Sequence, residues 1–209
     1  HSTSSAASDV YKRQFITFIY LMTKIEDQDL KGKILFFSPN EAGTSYFTDS
    51  LILICDHNEH GSLGLIFNRP LELKLMELFE GMKIKGLDVE DGNVFLGGPV
   101  NPGAIFILHS ADKSWKNTLP VSKNINMTTD YEAIEDIARG ESPENFILTL
   151  GYTGWGPEQL NAEISENAWM SFEEDVNLIF KTDPSNQINE MSKIVGYDIR
   201  MISPDYGNA

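Results

Sequence analysis

The chain has little of three things: cysteine, basic side chains and long apolar segments. It contains one cysteine among 209 residues, so it cannot form a disulfide within itself. Nothing in that composition requires an oxidising compartment. The early apolar run FITFIYLM, at residues 15–22, is too short to span a bilayer, so we expect no membrane partner.

Basic side chains are scarce relative to acidic ones. The chain carries 16 Lys and Arg against 31 Asp and Glu, a formal net charge of −15. Such a surface repels phosphate backbones, so the composition argues against direct nucleic-acid binding. The sequence also lacks the G-x-S-x-G, H-E-x-x-H and phosphate-loop motifs. It therefore predicts neither a recognised catalytic class nor a cofactor.

The first 21 residues differ from the rest. The polar HSTSSAASDVYKRQ is followed by the apolar run, which leads into the charged TKIEDQDLKGK without a small-residue cleavage site. We therefore predict that Met22 is the natural start and that residues 1–21 are a non-native or disordered extension. The chain as a whole is 41% hydrophobic, and residues 22–209 are long enough to form one domain with a sizeable core.

One stretch, CDHNEHGSLGLIFNRP at residues 55–70, concentrates groups that could do chemistry. Strand alternation would put Cys55 and His57 on one face and Asp56 on the other, with His60 in the turn. A zinc site needs four ligands, usually from two clusters, and the sequence has no second cluster, so we predict no metal. Two interpretations of the cysteine stay open: a buried core residue, which we favour, or a thiol activated by the histidine.

Apolar patterning predicts the secondary structure. The strongest prediction is an antiparallel hairpin that pairs residues 51–57 with residues 62–68 around a turn at 58–61. Further strands are expected at KILFFSP, NVFLGGPV, AIFILHS, ENFILTLGY and VNLIFKT, and helices at LELKLMELFEGM (71–82), TTDYEAIEDIARGES, PEQLNAEISENAWM and PSNQINEMSKIVG. Thr129 with Glu132 fits a capping box. The mixture predicts an α+β fold: a single compact domain with a mixed, largely antiparallel β-sheet and flanking helices.

Two glycine-rich stretches could present backbone N–H groups to an anion: GYTGWGPEQL at residues 151–160 and LGGPV at residues 96–100. Neither has the lysine and hydroxyl residue of a phosphate loop, and Glu158 would repel phosphate at the first. We favour structural turns for both. Trp155 and Trp169 should then bury most of their rings beside the first turn.

Asn68 and Arg69 close an apolar strand, and their polar groups need partners. They could bond a neighbouring loop, which we favour, or a bound anion. The complete set of candidate functional residues, none with an assigned catalytic role, is Cys55, His57, Asn68, Arg69, Gly97, Gly98, His109, Gly154, Trp155 and Gln159.

Four motifs in order, LILICDHNEHGSLGLIFNRP, VFLGGPV, FILHS and LTLGYTGWGPEQLNAEISENAWM, resemble the YqgE/AlgH family of bacterial proteins. The resemblance runs from about Gly32 to the C-terminus, in agreement with a start at Met22. Two positions depart from the family pattern. Asp56 stands where the family usually has glutamate, and Glu158 stands where it usually has glycine.

The resemblance implies a cytoplasmic protein of compact mixed α/β architecture without an established enzymatic activity; some members are labelled transcriptional regulators. We therefore expect a non-enzymatic protein that acts through a protein or small-molecule partner, with a regulatory role. The alternative is a redox-sensing or nucleophilic thiol protein that uses Cys55 with His57. A direct DNA reader is disfavoured, because no predicted helix carries the basic cluster that such a reader needs.

Overall fold

The structure is a computed structural model, and it describes residues 30–37 and 45–201. Contacts divide the chain after Leu30, and all described residues from Lys31 onward belong to one compact unit. The prediction that residues 1–21 are an extension lies outside the described residues.

Ten strands among the described residues join in one sheet. They are β1 (Ile34–Phe37), β2 (Leu51–Asn58), β3 (Gly61–Ile66), β4 (Pro70–Lys74), β5 (Asn93–Leu96), β6 (Val100–Ser110), β7 (Leu119–Pro120), β8 (Ile125–Thr128), β9 (Phe146–Trp155) and β10 (Trp169–Phe172). Their order across the sheet is β10, β1, β2, β3, β9, β6, β8, β7. In addition, β4 pairs with β5, and β5 runs parallel to the first half of β9, whereas the other pairings are antiparallel.

Five α-helices in the described ranges flank this sheet. They are α1 (Leu75–Gly81), α2 (Tyr131–Ala138), α3 (Gln159–Ser165), α4 (Val176–Phe180) and α5 (Gln187–Val195). None of these helices is long and apolar enough to cross a bilayer.

Alternating side chains of β6 separate two hydrophobic cores. Phe106 and Leu108 belong to the first core, which α4 and α5 cover with residues such as Leu178 and Met191. Ile107 points the other way, into a second core that contains the buried side chains of α1 and α2. Helices therefore cover both faces of the sheet, and the predicted α+β class with its mixed, largely antiparallel sheet is confirmed.

The predicted hairpin is confirmed as well. β2 and β3 pair in antiparallel fashion across a two-residue turn at Glu59 and His60. The helix predicted after residue 128 is also present, as α2, but its N-cap is Asp130, whose side chain makes no capping hydrogen bond. The proposed capping box of Thr129 with Glu132 is therefore wrong.

Three predicted elements differ from the structure. The helix expected over residues 71–82 is preceded by β4, and only Leu75–Gly81 is helical. The segment VNLIFKT, expected to be a strand, forms α4, because the carboxylate of Asp175 caps it by accepting the Leu178 N–H at 2.8 Å. Short apolar runs fit both the helical and the strand periodicity. In these segments, strand-pairing partners and helix caps decide between the two.

The helix expected from Pro157 to Met170 is shorter than predicted. It ends at Ser165, and Trp169 begins β10, which pairs with β1. The residue therefore enters the sheet edge instead of completing a helix.

The segment between β5 and β6 crosses over β9. On one flank of β9, Gly97 donates its N–H to the Leu150 carbonyl at 2.8 Å and accepts the Ile66 N–H at 2.9 Å. Three residues later, Val100 pairs with Tyr152 on the flank that β6 occupies. The chain therefore passes from one flank of β9 to the other within this short distance.

The glycines of the LGGPV motif permit this close crossing. A Cβ on Gly97 would lie 2.1 Å from the Gly151 carbonyl oxygen, and a Cβ on Gly98 would lie 2.2 Å from the Tyr152 carbonyl carbon. Neither backbone can move away without breaking ladder bonds on both flanks of β9. The motif therefore has an architectural role.

Replacing Gly98 by alanine should lower the free energy of unfolding by at least about 3 kcal/mol, because the new methyl group would press on the β9 backbone. Gly103→Ala is the matched control, since a Cβ there would meet nothing within 4 Å. Urea denaturation followed by tryptophan fluorescence measures both. Equal stability of the two variants would contradict the crossing.

Candidate functional site

An open groove of about 460 Å³ lies where the β2–β3 hairpin turns and β9 ends. Its lining includes Asp56, Leu63, Tyr152, Gly154 and Val100. The ladder register explains this grouping, because Asp56 faces Leu63, Leu63 faces Gly154, and Tyr152 faces Val100. Residues that face each other, or lie two apart on a strand, project from the same side of the sheet.

Gly154 forms the floor of the groove. It is exposed, and a Cβ there would meet only the ring of Tyr152, at 3.2 Å. The groove is therefore the space that a side chain at position 154 would fill. Its walls are apolar: Leu63 and Tyr152 are half-buried against the first core, and Val100 is exposed.

Asp56 forms a polar rim. Its carboxylate lies 3.5 Å from Nζ of Lys31 and accepts a hydrogen bond from Nδ2 of Asn58 at 2.8 Å. Oδ1 of Asn58 accepts the His60 N–H at 2.8 Å, which closes the hairpin turn. Because each of these groups has a protein partner, the rim is held in place by the turn.

A β-bulge in β2 decides where its last side chains point. The register shifts between Ile54 and Asp56, which leaves Cys55 as the extra residue. The bulge interrupts the strand alternation, so that Cys55 and Asp56 lie on the first-core side, whereas His57 and its partner Ser62 lie on the other. The prediction that Cys55 and His57 share a face is therefore wrong.

Cys55 is fully buried, as we favoured from the sequence. Its Sγ lies 3.6 Å from the Leu53 carbonyl oxygen. Burial raises the pKa of the thiol far above its ordinary value, and the nearby Lys31 opposes this only in part. A neutral, buried thiol is a poor nucleophile, so the geometry gives the redox-sensing or nucleophilic alternative no support.

His57 has a different partner, the hydroxyl of Ser62. The two side chains meet at 2.7 Å between Nδ1 and Oγ. A serine nucleophile needs a base that a third group orients, and no carboxylate bonds His57 among the described residues. The contact is a cross-strand hydrogen bond that fastens the hairpin end.

Trp155 is anchored beside the groove by a shared carboxylate. Its indole N–H donates to Oε2 of Glu163 at 2.9 Å, and the Trp169 indole donates to the same oxygen at 2.7 Å. Gln159 donates to the other carboxylate oxygen at 2.8 Å and accepts the Gly156 N–H at 3.0 Å. Both tryptophans are buried, at 7% and 4% exposure, so the prediction about their rings is confirmed.

Asn68 and Arg69 bond the loop at residues 45–50. Asn68 donates to the Asp49 carbonyl at 2.8 Å and accepts the Leu51 N–H at 2.8 Å. The Arg69 guanidinium donates to two carbonyl oxygens of the same loop at 2.7 and 2.5 Å. The loop contact that we favoured over an anion is confirmed.

His109 lies at the far end of β6 from the groove and is fully buried. Its Nδ1 bonds the Ser110 carbonyl at 2.9 Å, which places the proton on Nδ1 and leaves Nε2 as an acceptor. Nε2 has no partner among the described residues, and the Trp115 ring meets the imidazole edge-on at 5.3 Å. Burial lowers the pKa of His109, although the Ser110 bond and Asp112 oppose this.

The structure brings few of the sequence candidates together. Gly154 and Trp155 line the groove, Gln159 holds the adjoining turn, and the other seven do not line it. No group of three or more potential metal ligands occurs within the part of the chain that the structure describes. Sequence reasoning missed Leu63, Val100 and Tyr152, since an apolar side chain carries no chemical signal and only the ladder register groups them.

The AlgH-like family model (DUF179) matches residues 34–200 of the chain. The chain belongs to this family. It is 39% identical over 165 residues to a UPF0301 protein of Methylococcus capsulatus, which covers 78% of this chain and 88% of that relative. It is 36% identical over 183 residues to a UPF0301 protein of Cupriavidus metallidurans, with coverage of 87% and 96%.

Solved structures agree with this assignment. The solution structure of AlgH from Pseudomonas aeruginosa has a TM-score of 0.71 and 31% identity, covering 86% of this chain and 96% of that one. The crystal structure of protein DIP2367 from Corynebacterium diphtheriae has a TM-score of 0.64 at 18% identity, covering 80% and 88%. The second likeness concerns the fold alone. The resemblance inferred from four motifs is confirmed.

Cys55 should resist alkylation in the native protein, because its thiol is buried and neutral. Iodoacetamide labelling followed by mass spectrometry should modify it only after denaturation. Glu59→Cys gives a matched control, since this exposed turn position should label in the native state. Native labelling of both thiols at similar rates would restore the thiol alternative.

His109 should make the protein less stable in acid. Its pKa is lowered in the folded state, so the unfolded chain binds its proton first as the pH falls, and stability decreases below the ordinary histidine pKa. The charged groups around it are Asp112, Lys113 and Asp136.

The comparison is with His109→Asn, which cannot titrate in this range. Between about pH 7.5 and about pH 5.5, urea denaturation should show the natural chain losing about 1 kcal/mol more than the variant. Parallel curves for the two proteins would contradict a neutral His109.

Proposed function

We propose that the protein is a non-enzymatic binding protein that holds a small ligand in the groove and thereby regulates a partner protein. The observation that best supports this is the floor at Gly154, where open space and exposed backbone lie between the apolar side chains of Leu63, Tyr152 and Val100. Ligand sites typically combine apolar walls with a few convergent polar groups in a volume of about 300–1,000 Å³. The groove fits that description.

Binding is favoured over catalysis by the state of the nearby side chains. Asp56 is tied to Lys31 and Asn58, Glu163 accepts three hydrogen bonds, and Cys55 is buried. An acid–base catalyst needs a titratable group free to meet substrate. Asp56 forms a rim fixed by protein contacts, and His60, which also lines the groove, lies in the exposed hairpin turn beside Glu59.

Charge favours a partner other than nucleic acid. The net charge is −15, and none of the described residues that line the groove is lysine or arginine. A phosphate backbone would be repelled by this surface. We further propose a cytoplasmic location away from membranes, which the family resemblance implies for these bacterial proteins.

Amide NMR titration with three aromatic probes tests the groove. Phenol and benzylamine should move the amide resonances of Leu63, Val100 and Gly154, because their rings fit between the apolar walls. Benzoate should bind several-fold more weakly, because Asp56 lies at the rim and the flanking turns carry Glu59 and Glu158.

Gly154→Val is the matched variant. Gly154 has no positive φ, and valine suits a strand, so the variant should fold while its side chain fills the groove. The probe shifts should then disappear with the unfolding midpoint retained. Shifts scattered over the whole surface, or shifts that persist in the variant, would refute binding at the groove.

A further inference from the structure

The direction of the Gly154 backbone groups follows from the hydrogen bonds of β3. Ile66 donates its N–H to Gly97, on the β9 side, and Phe67 donates to Leu51 of β2. Backbone groups alternate along a strand, so Leu63 directs its N–H and C=O toward β2. Its partner on β9 is Gly154, which therefore directs its own N–H and C=O away from β3.

Both groups of Gly154 point at an open sheet edge inside the groove. Two positions along on the same edge, Tyr152 is paired with Val100, where β6 begins. Two positions in the other direction, Gly156 is closed by Gln159, which accepts its N–H and donates to its carbonyl. The open edge is therefore one residue long, with one donor beside one acceptor.

An edge of one residue favours a small molecule over a peptide strand. A strand added to a sheet is held by a run of backbone hydrogen bonds, and here only one pair is available. A compact molecule needs no more than one such pair if apolar walls contact its faces. Tyr152 and Val100, which pair next to Gly154 on the same flank of β9, provide apolar surface there.

The charges around the groove restrict the ligand further. Asp56 forms the rim, and the turns on either side expose Glu59 and Glu158. Lys31 also lies at this rim, where it is paired with Asp56. Anionic ligands are therefore disfavoured, and neutral or cationic ones are preferred.

We propose that the groove binds a neutral planar heterocycle that carries an acceptor next to a donor, as the amidine edge of a nucleobase does, and that the Gly154 N–H and C=O pair with that edge. This rests on the proposed function of the groove and specifies the chemistry of its ligand. The N–H of Gly154 donates to the ring nitrogen, and its carbonyl accepts from the exocyclic amine.

Two matched probes test the pairing: 2-aminopyrimidine, which has this edge, and 2-(dimethylamino)pyrimidine, which lacks the donor. NMR titration should show 2-aminopyrimidine binding about tenfold more tightly, because the dimethyl analogue leaves the Gly154 carbonyl unpaired. The Gly154 amide proton should also move downfield with the first probe. Gly154→Val should abolish binding of both, whereas Gly103→Ala should bind as the natural chain does.

Adenine and AMP extend the test to ligand charge. Adenine should bind more tightly than AMP by several-fold, and added salt should narrow the gap by screening the carboxylates. AMP binding as tight as that of adenine would refute the charge argument.

The outcomes separate this inference from the proposed function. Equal affinity of the two pyrimidines, with an unmoved Gly154 amide proton, would overturn the edge pairing while groove binding by phenol stands. If none of the probes, phenol included, perturbs the groove amides, then the proposed function fails as well.

Discussion

The close crossing of the chain over β9 is the constraint on which the rest of this structure depends. Because Gly97 and Gly98 have no side chains, the segment after β5 can leave one flank of β9 and begin β6 on the other. That path sets where β6 starts, at Val100, and β9 continues beyond it to pair with β3. The uncovered flank at Gly154 is thus a direct consequence of the crossing.

The turn after β9 is kept in place by hydrogen bonds between polar side chains and two buried tryptophan rings. Glu163 accepts both indole N–H groups and the Gln159 amide, so its charge is satisfied by three donors. Glu158 in the same turn has φ of 59°, a conformation that favours glycine. Glutamate at this position is therefore accommodated at some cost in backbone strain.

Sequence patterning predicted the elements whose signals are long or local. The β2–β3 hairpin, α2, α5 and most of β9 follow from turn residues and periodicity. The segment that forms β4 was predicted to be helical, and the segment that forms α4 was predicted to be a strand. Both predictions failed because a short apolar run adopts the secondary structure that its neighbours favour. The bulge at Cys55 could not be predicted, since one extra residue in a ladder depends on the partner strand, and it reversed the expected face of His57.

The candidate site was harder to predict for a further reason. Reactive side chains are the functional signal that a sequence shows. In this structure, the reactive candidates are buried or hydrogen-bonded to the protein; they are Cys55, His57, Arg69 and His109. The group proposed to bind the ligand is the backbone of Gly154, and the type of a residue does not reveal whether its backbone N–H and C=O are unpaired. Whether these backbone groups are unpaired depends on which way they alternate along β9 and on where the neighbouring strand β6 begins. The site proposed for the ligand therefore follows from topology more than from side-chain chemistry.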